Sequence, residues 1–140
     1  GRYDSKAKTP LVKVLKDPEK EIRVGSIEIL AKADDRLIGS SLLGVMRSSD
    51  FYTRDEDEVE KFFEALSQFP SPSTIEFLNQ LLSEKNLTRS KVIVRRQVMA
   101  VNSLGGMDSP DAKPTLEKCL KRWFLPSQVK NAAKTAVQSR

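Results

Sequence analysis

Apolar residues recur along this chain at helical spacing, and no segment sustains the period-two alternation of a half-buried strand. Ile22, Ser26, Ile29, Leu30 and Ala33 fall on one helical face, as do Val59, Phe62, Phe63 and Leu66. Val94, Val98 and Val101 share a third face, and Val129, Ala132, Ala133, Ala136 and Val137 a fourth. Between them the pattern predicts four more apolar helices, centred on Leu11–Leu15, Leu37–Met46, Ile75–Leu82 and Leu116–Leu120. Pro18, Pro70, Pro72, Gly105, Gly106, Pro110 and Pro126 stand at their edges, where helix ends belong. The expected class is all-α.

Register converts this series into a repeat. Leu30, Leu66 and Leu104 are spaced by 36 and 38 residues. Twelve positions after each stand Leu42, Leu78 and Leu116; at fifteen come Val45, Leu81 and Cys119, and at sixteen Met46, Leu82 and Leu120. A single helical hairpin cannot bury its apolar face alone, so hairpin copies at this period are expected to stack on a shared core. The expected hairpins span approximately 8–33, 35–69, 72–105 and 109–138, within one domain covering 1–140.

Two stretches resemble the HEAT-repeat family, of the kind common in bacteria. In DPEKEIRVGSIEIL (17–30), Asp17 would cap the second helix, Pro18 would take its first position, and Ile22-Arg23 match the family's apolar–Arg pair. In LGGMDSPDAKPTLEKCL (104–120), a Leu-Gly pair, a capping turn, an Ala, a Pro and a leucine pair follow the family's order. Departures are visible: Glu60 and Lys130 occupy the Arg position in the second and fourth copies, and Gly25 and Ser26 replace the usual Ala. The resemblance implies an α-α superhelix, a HEAT-like solenoid of four hairpins. It also implies a non-catalytic scaffold that binds a macromolecular partner, first of all a protein, through the exposed face of the second helices. On that face Arg23, Glu60, Glu64, Arg95 and Lys130 are the candidate contacts. Because the chain opens on Gly1, it is read as a domain of a longer protein.

Composition removes several kinds of chemistry. There is no His, which excludes His-based triads and His–metal sites, and the single Cys119 excludes an internal disulfide and a thiolate zinc site. Cys119 sits at an apolar position of the repeat and is expected in the core. No apolar run approaches the roughly 20 residues of a membrane span. The expectation is a cytoplasmic protein with no cofactor, no metal, no catalytic residues, no small-molecule substrate and no membrane partner.

Charge is unevenly distributed. Residues 1–84 carry 12 Lys/Arg against 16 Asp/Glu, whereas residues 85–140 carry 12 against 3. Arg89, Lys91, Arg95, Arg96, Lys121, Arg122, Lys130 and Lys134 could therefore contact an anionic surface. Phosphate-backbone binding to nucleic acid through this basic half is the alternative function. Arg122-Trp123 could stack on a base or form a cation–π pair. The plainer expectation is that Trp123 and Phe124 cap the terminal hairpin's core.

The distance from the last apolar residue of each first helix to the matching residue of the second runs 15, 20, 22 and 17 residues in the four copies. Copies two and three thus carry insertions in the same turn. One is acidic, SDFYTRDEDEVE (49–60), and the other basic, SEKNLTRSK (83–91). The acidic one lacks the Gly and the alternate acids of an EF-hand calcium loop. Its acids crowd one loop and one helix start, not two sides of a cleft as paired-carboxylate hydrolysis requires. Asp55–Glu58 at a helix N-terminus is the plain reading, since the dipole and free N–H groups favour negative charge there. The basic insertion is its expected neighbour. Phe51 and Tyr52 are expected either to plug the turn or to face a partner.

Overall fold

The computed structural model describes residues 13–33 and 35–139, which include seven α-helices, one 3-10 turn and no strand. The chain divides into two compact units, residues 1–69 and 70–140. The expected first helix lies outside the described residues as far as position 12; its described end, 13–15, is helical and buries Leu15.

In the first unit, α1 is Lys20–Leu30, α2 is Arg36–Met46, and α3 is Glu56–Leu66, with the 3-10 turn Phe51–Thr53 between α2 and α3. Local chemistry sets the boundaries. Helix α1 starts at Lys20 with Glu19 at its N-cap, so Asp17 and Pro18 lie ahead of the cap and first position expected of them; the Asp17 carboxylate accepts from the Glu19 N–H at 2.9 Å. Asp35 caps α2 by accepting from the Leu37 N–H at 2.9 Å. The expected acids open α3: Asp55 stands at its N-cap, and Glu56, Asp57 and Glu58 fill the first turn. Both α1 and α2 pack against α3. The core between them holds Leu42, Val45, Met46, Phe62, Phe63 and Leu66, all buried as their periodicity requires. Gly39 allows α2 to approach the chain after α3, because a Cβ there would lie 2.9 Å from the Phe69 Cβ.

One expected face is wrong in detail. Ile22 is 44% exposed and Ile29 73% exposed, while Ile27 is buried. Helix α1 carries two apolar stripes, and it turns inward the one that also carries Arg23. The reason is electrostatic and is described below.

In the second unit, α4 is Pro72–Ser83, α5 is Lys91–Gly105, α6 is Ala112–Leu120 and α7 is Ser127–Gln138. Ser71 caps α4 from the Thr74 N–H at 3.1 Å, with Pro72 at the first helical position, where its missing N–H costs nothing. Ser90 caps α5 through the Ile93 N–H at 3.4 Å. The two hairpins lie side by side: α5 packs on α7, α4 on α6, and each helix on its hairpin mate. Leu78, Leu82, Leu104, Leu116 and Cys119 are fully buried, as the register expects, whereas Leu81 and Leu120 of the same register are half-buried, as is Leu30 in the first unit. A Cβ on Gly105 would lie 3.1 Å from the Ala136 Cβ, a close approach of α5 to α7.

Candidate functional site

The acidic insertion condenses around one carboxylate. Phe51 is completely buried and meets Phe62 edge-on, with ring centroids 5.0 Å apart. It plugs the turn and is not available to a partner, so this candidate contact is withdrawn; Tyr52 is half-buried against it, at a centroid distance of 5.0 Å. Arg54 lays its guanidinium over both phenylalanine rings, 5.7 Å from Phe51 and 5.1 Å from Phe62.

Glu58 is also fully buried, which the sequence reading of a solvated acidic start did not anticipate. Its Oε2 accepts from Arg23 Nε at 2.7 Å and its Oε1 from Arg23 Nη2 at 2.8 Å, while Arg54 Nη1 reaches Oε2 at 2.9 Å. Burial pushes this carboxyl upward, but the Arg23 and Arg54 guanidiniums outweigh it and hold the group below the ordinary carboxylate range. The same arginines close open backbone groups. Arg23 Nη1 donates to the Asp17 carbonyl at 2.7 Å, and Arg54 Nη1 donates to the Leu15 carbonyl at 2.8 Å. Arg23 is therefore a clamp between successive hairpins of the first unit, and its place among the exposed second-helix contacts is corrected.

Outside this clamp, Lys20 bridges Asp55 at 2.9 Å and Asp57 at 3.0 Å. Its hydrogen bonds to the Asp55 and Asp57 carboxylates raise its pKa, and Lys20 in turn lowers that of Asp57. Lys20 and Arg23, which pair with acids of this turn, both stand on α1. Among the described residues no group of three or more His, Cys, Asp or Glu side chains is arranged to hold a metal ion.

On the second-helix face of this unit, α1 and α3 leave an open groove of about 720 Å³ lined by Ile27, Glu28, Ala31, Lys32, Lys61, Glu64, Ala65 and Gln68. Lys61 meets Glu28 in this groove at 3.1 Å, which raises the lysine pKa. Glu60 and Glu64 are exposed, and Glu64 lines the groove.

In the second unit the basic insertion is a closed turn. The Asn86 Oδ1 accepts from the Ser90 N–H at 2.7 Å and its Nδ2 donates to the Ser90 carbonyl at 2.8 Å. Arg89 adopts the left-handed conformation within it, at φ 56°. Beside this turn lies the turn after α6. Trp123 is 81% exposed, so it does not cap the hairpin core as expected; Leu125 is buried there in its place. The indole meets Phe124 edge-on at 5.7 Å, and Lys85 Nζ stands 5.7 Å from each ring centroid. Arg122 is half-buried and holds the turn to α4 by donating to Asn79 Oδ1 at 3.0 Å. Lys91 and Arg95 are exposed, and Arg96 and Lys130 half-buried.

Two groups escaped the sequence reading. Gln97 is buried and donates from Nε2 to the Leu81 and Glu84 carbonyls, at 3.0 and 2.9 Å. It stands seven residues before Leu104, as Arg23 stands seven before Leu30, and that register was the available signal. Gln97 thus reaches carbonyls at the end of α4, and Arg23 the Asp17 carbonyl just before α1. Leu87, 83% exposed in the basic turn, carried no periodic signal.

No protein-family model, no curated protein sequence and no solved structure matches the chain.

Proposed function

We propose that this chain is a HEAT-like helical-hairpin module of a bacterial cytoplasmic protein, and that it acts by binding a protein partner and not by catalysis. The observation that carries this reading is Trp123, a large amphipathic side chain left 81% exposed on a turn that is otherwise tied down. Exposed tryptophans on preorganised surfaces are the residue type most enriched at binding hot spots. Hairpins held by buried clamps lose little ordering entropy on association, which favours recognition by a fixed surface. The groove between α1 and α3 offers a second contact region on the second-helix face, with Glu64 and Lys61 in its lining.

The test is a salt titration of the intact chain against labelled non-specific duplex DNA, read by fluorescence anisotropy. A protein-binding module gives no measurable affinity at physiological salt. Tight retention that falls steeply and linearly on a log–log salt plot would overturn the reading in favour of phosphate binding by the basic half.

A further inference from the structure

We infer that the paired turns of the second unit, residues 84–91 and 121–126, form a docking surface for an acidic protein segment that carries apolar side chains. The inference rests on the protein-partner reading above and deepens it by naming the partner's chemistry. Among the described residues the two most exposed large apolar side chains are Leu87 at 83% and Trp123 at 81%, and both lie on these turns. The two turns meet through Lys85, which stands two residues before Leu87 and brings its Nζ to 5.7 Å from the Trp123 ring. Neither is required by the hairpin core, which Leu82, Cys119 and Leu125 fill.

The polar surroundings carry one sign. The two turns contain five cations, Lys85, Arg89, Lys91, Lys121 and Arg122, against the single acid Glu84. Lys85, Arg89, Lys91 and Lys121 are exposed. An apolar centre with a cationic rim complements a segment of carboxylates interleaved with apolar residues. Single-stranded nucleic acid uses cations and an aromatic platform, but it gains nothing from an exposed leucine. Leu87 therefore decides between the two partners.

Trp123 is the only tryptophan in the chain, so its emission reports occupancy of this surface directly. The intact protein is titrated with a short peptide repeating Asp-Asp-Leu, with its Asp-Asp-Ser counterpart, and with an oligothymidylate of equal length. The expected result is a saturable blue shift with the leucine peptide. Affinity falls about tenfold for the serine peptide, and about tenfold for Leu87→Ser with the leucine peptide. Leu87→Ser changes an exposed turn and leaves the fold intact, which circular dichroism checks. No shift with any probe, equal affinity for the two peptides, or an unaffected Leu87→Ser would each overturn the inference and leave the protein-partner reading to the DNA titration. Tighter binding of the oligothymidylate would overturn both.

Discussion

Arg23 grips Glu58 through two parallel hydrogen bonds, 2.7 and 2.8 Å long, across 35 residues of sequence, and the carboxylate it holds has no exposure to solvent. A bidentate guanidinium–carboxylate pair satisfies both partners' geometry at once. Removing one partner leaves the other desolvated and uncompensated. Glu58→Ala is therefore expected to destabilise the protein by about 3–5 kcal/mol in urea unfolding. The triple change Arg23→Met, Arg54→Met and Glu58→Leu, which removes both guanidiniums together with the carboxylate, is expected to recover part of that loss, because well-packed apolar residues often replace a buried ionic group at little cost. If the triple variant is as unstable as Glu58→Ala, the ionic group is specifying the packing and not only neutralising itself.

Glu58 also predicts how stability depends on pH. Its folded pKa lies below the ordinary value of 4.5, so the unfolded chain binds its proton more readily. The stabilisation is fully present above that ordinary value and is lost as pH falls through the depressed folded value. Urea midpoints measured from neutral pH down to strongly acid pH should fall below about 4.5. In Glu58→Gln, that part of the slope should be missing.

Gln97 makes the corresponding contacts in the second unit without a charge. Gln97→Ala leaves the Leu81 and Glu84 carbonyls without the Nε2 donor at a helix end. A loss of about 1–3 kcal/mol is expected by chemical denaturation, with no dependence on acid pH, since no titrating group is involved. A pH-dependent loss would show that the effect spreads to other groups.

Two glycines of α2 should respond in opposite directions to the same change. A Cβ on Gly39 meets Phe69 at 2.9 Å, and a Cβ on Gly44 meets nothing within 4 Å. Gly44→Ala is expected to stabilise by up to about 1 kcal/mol through helix propensity. Gly39→Ala gains the same propensity but incurs overpacking of about 1–3 kcal/mol, so a net loss is expected. Melting temperatures of the two variants decide it; a stabilised Gly39→Ala would mean that Phe69 moves freely.

Cys119 is buried, and burial pushes its thiol pKa upward, which lowers the thiolate fraction. Its modification by a thiol-specific disulfide reagent is expected to be slow in the native protein and to accelerate sharply through the urea transition. Rapid reaction of the native protein would place the sulfur at the surface.

Many of the buried positions were legible in the residues, because burial follows local periodicity there, although Leu30, Leu81 and Leu120 of the same register are only half-buried. Leu42, Leu78 and Leu116 share a register and all lie at 0% exposure, as does Cys119, whose apolar slot was visible before its contacts were. The turns of copies two and three were legible as insertions from chain spacing, and the net positive character of the second one from composition. Charge alone marked Arg89 and Lys91 as surface candidates, and the pair Arg122-Trp123 stood out as a stacking motif. Periodicity was ambiguous where a helix carried two apolar stripes, and α1 is that case.

What tertiary structure decided are the pairings between distant residues. Ile27 faces inward and Ile29 outward because Arg23 must reach a carboxylate on α3, and no window along α1 contains Glu58. Of the six acids in the inserted turn, Glu58 alone is completely buried, and two guanidiniums converge on it, Arg54 from four residues before and Arg23 from 35 residues before. Phe51 plugs its turn because Phe62 and Arg54 meet it there. Trp123 is left at the surface while Leu125, two residues on, is buried in the core. The sequence by itself determined the helices, their register and the sign of the surface charge, since these depend on near neighbours. The three-dimensional fold decided which polar groups were desolvated and which apolar ones were left in water, since that depends on which distant partner reaches them.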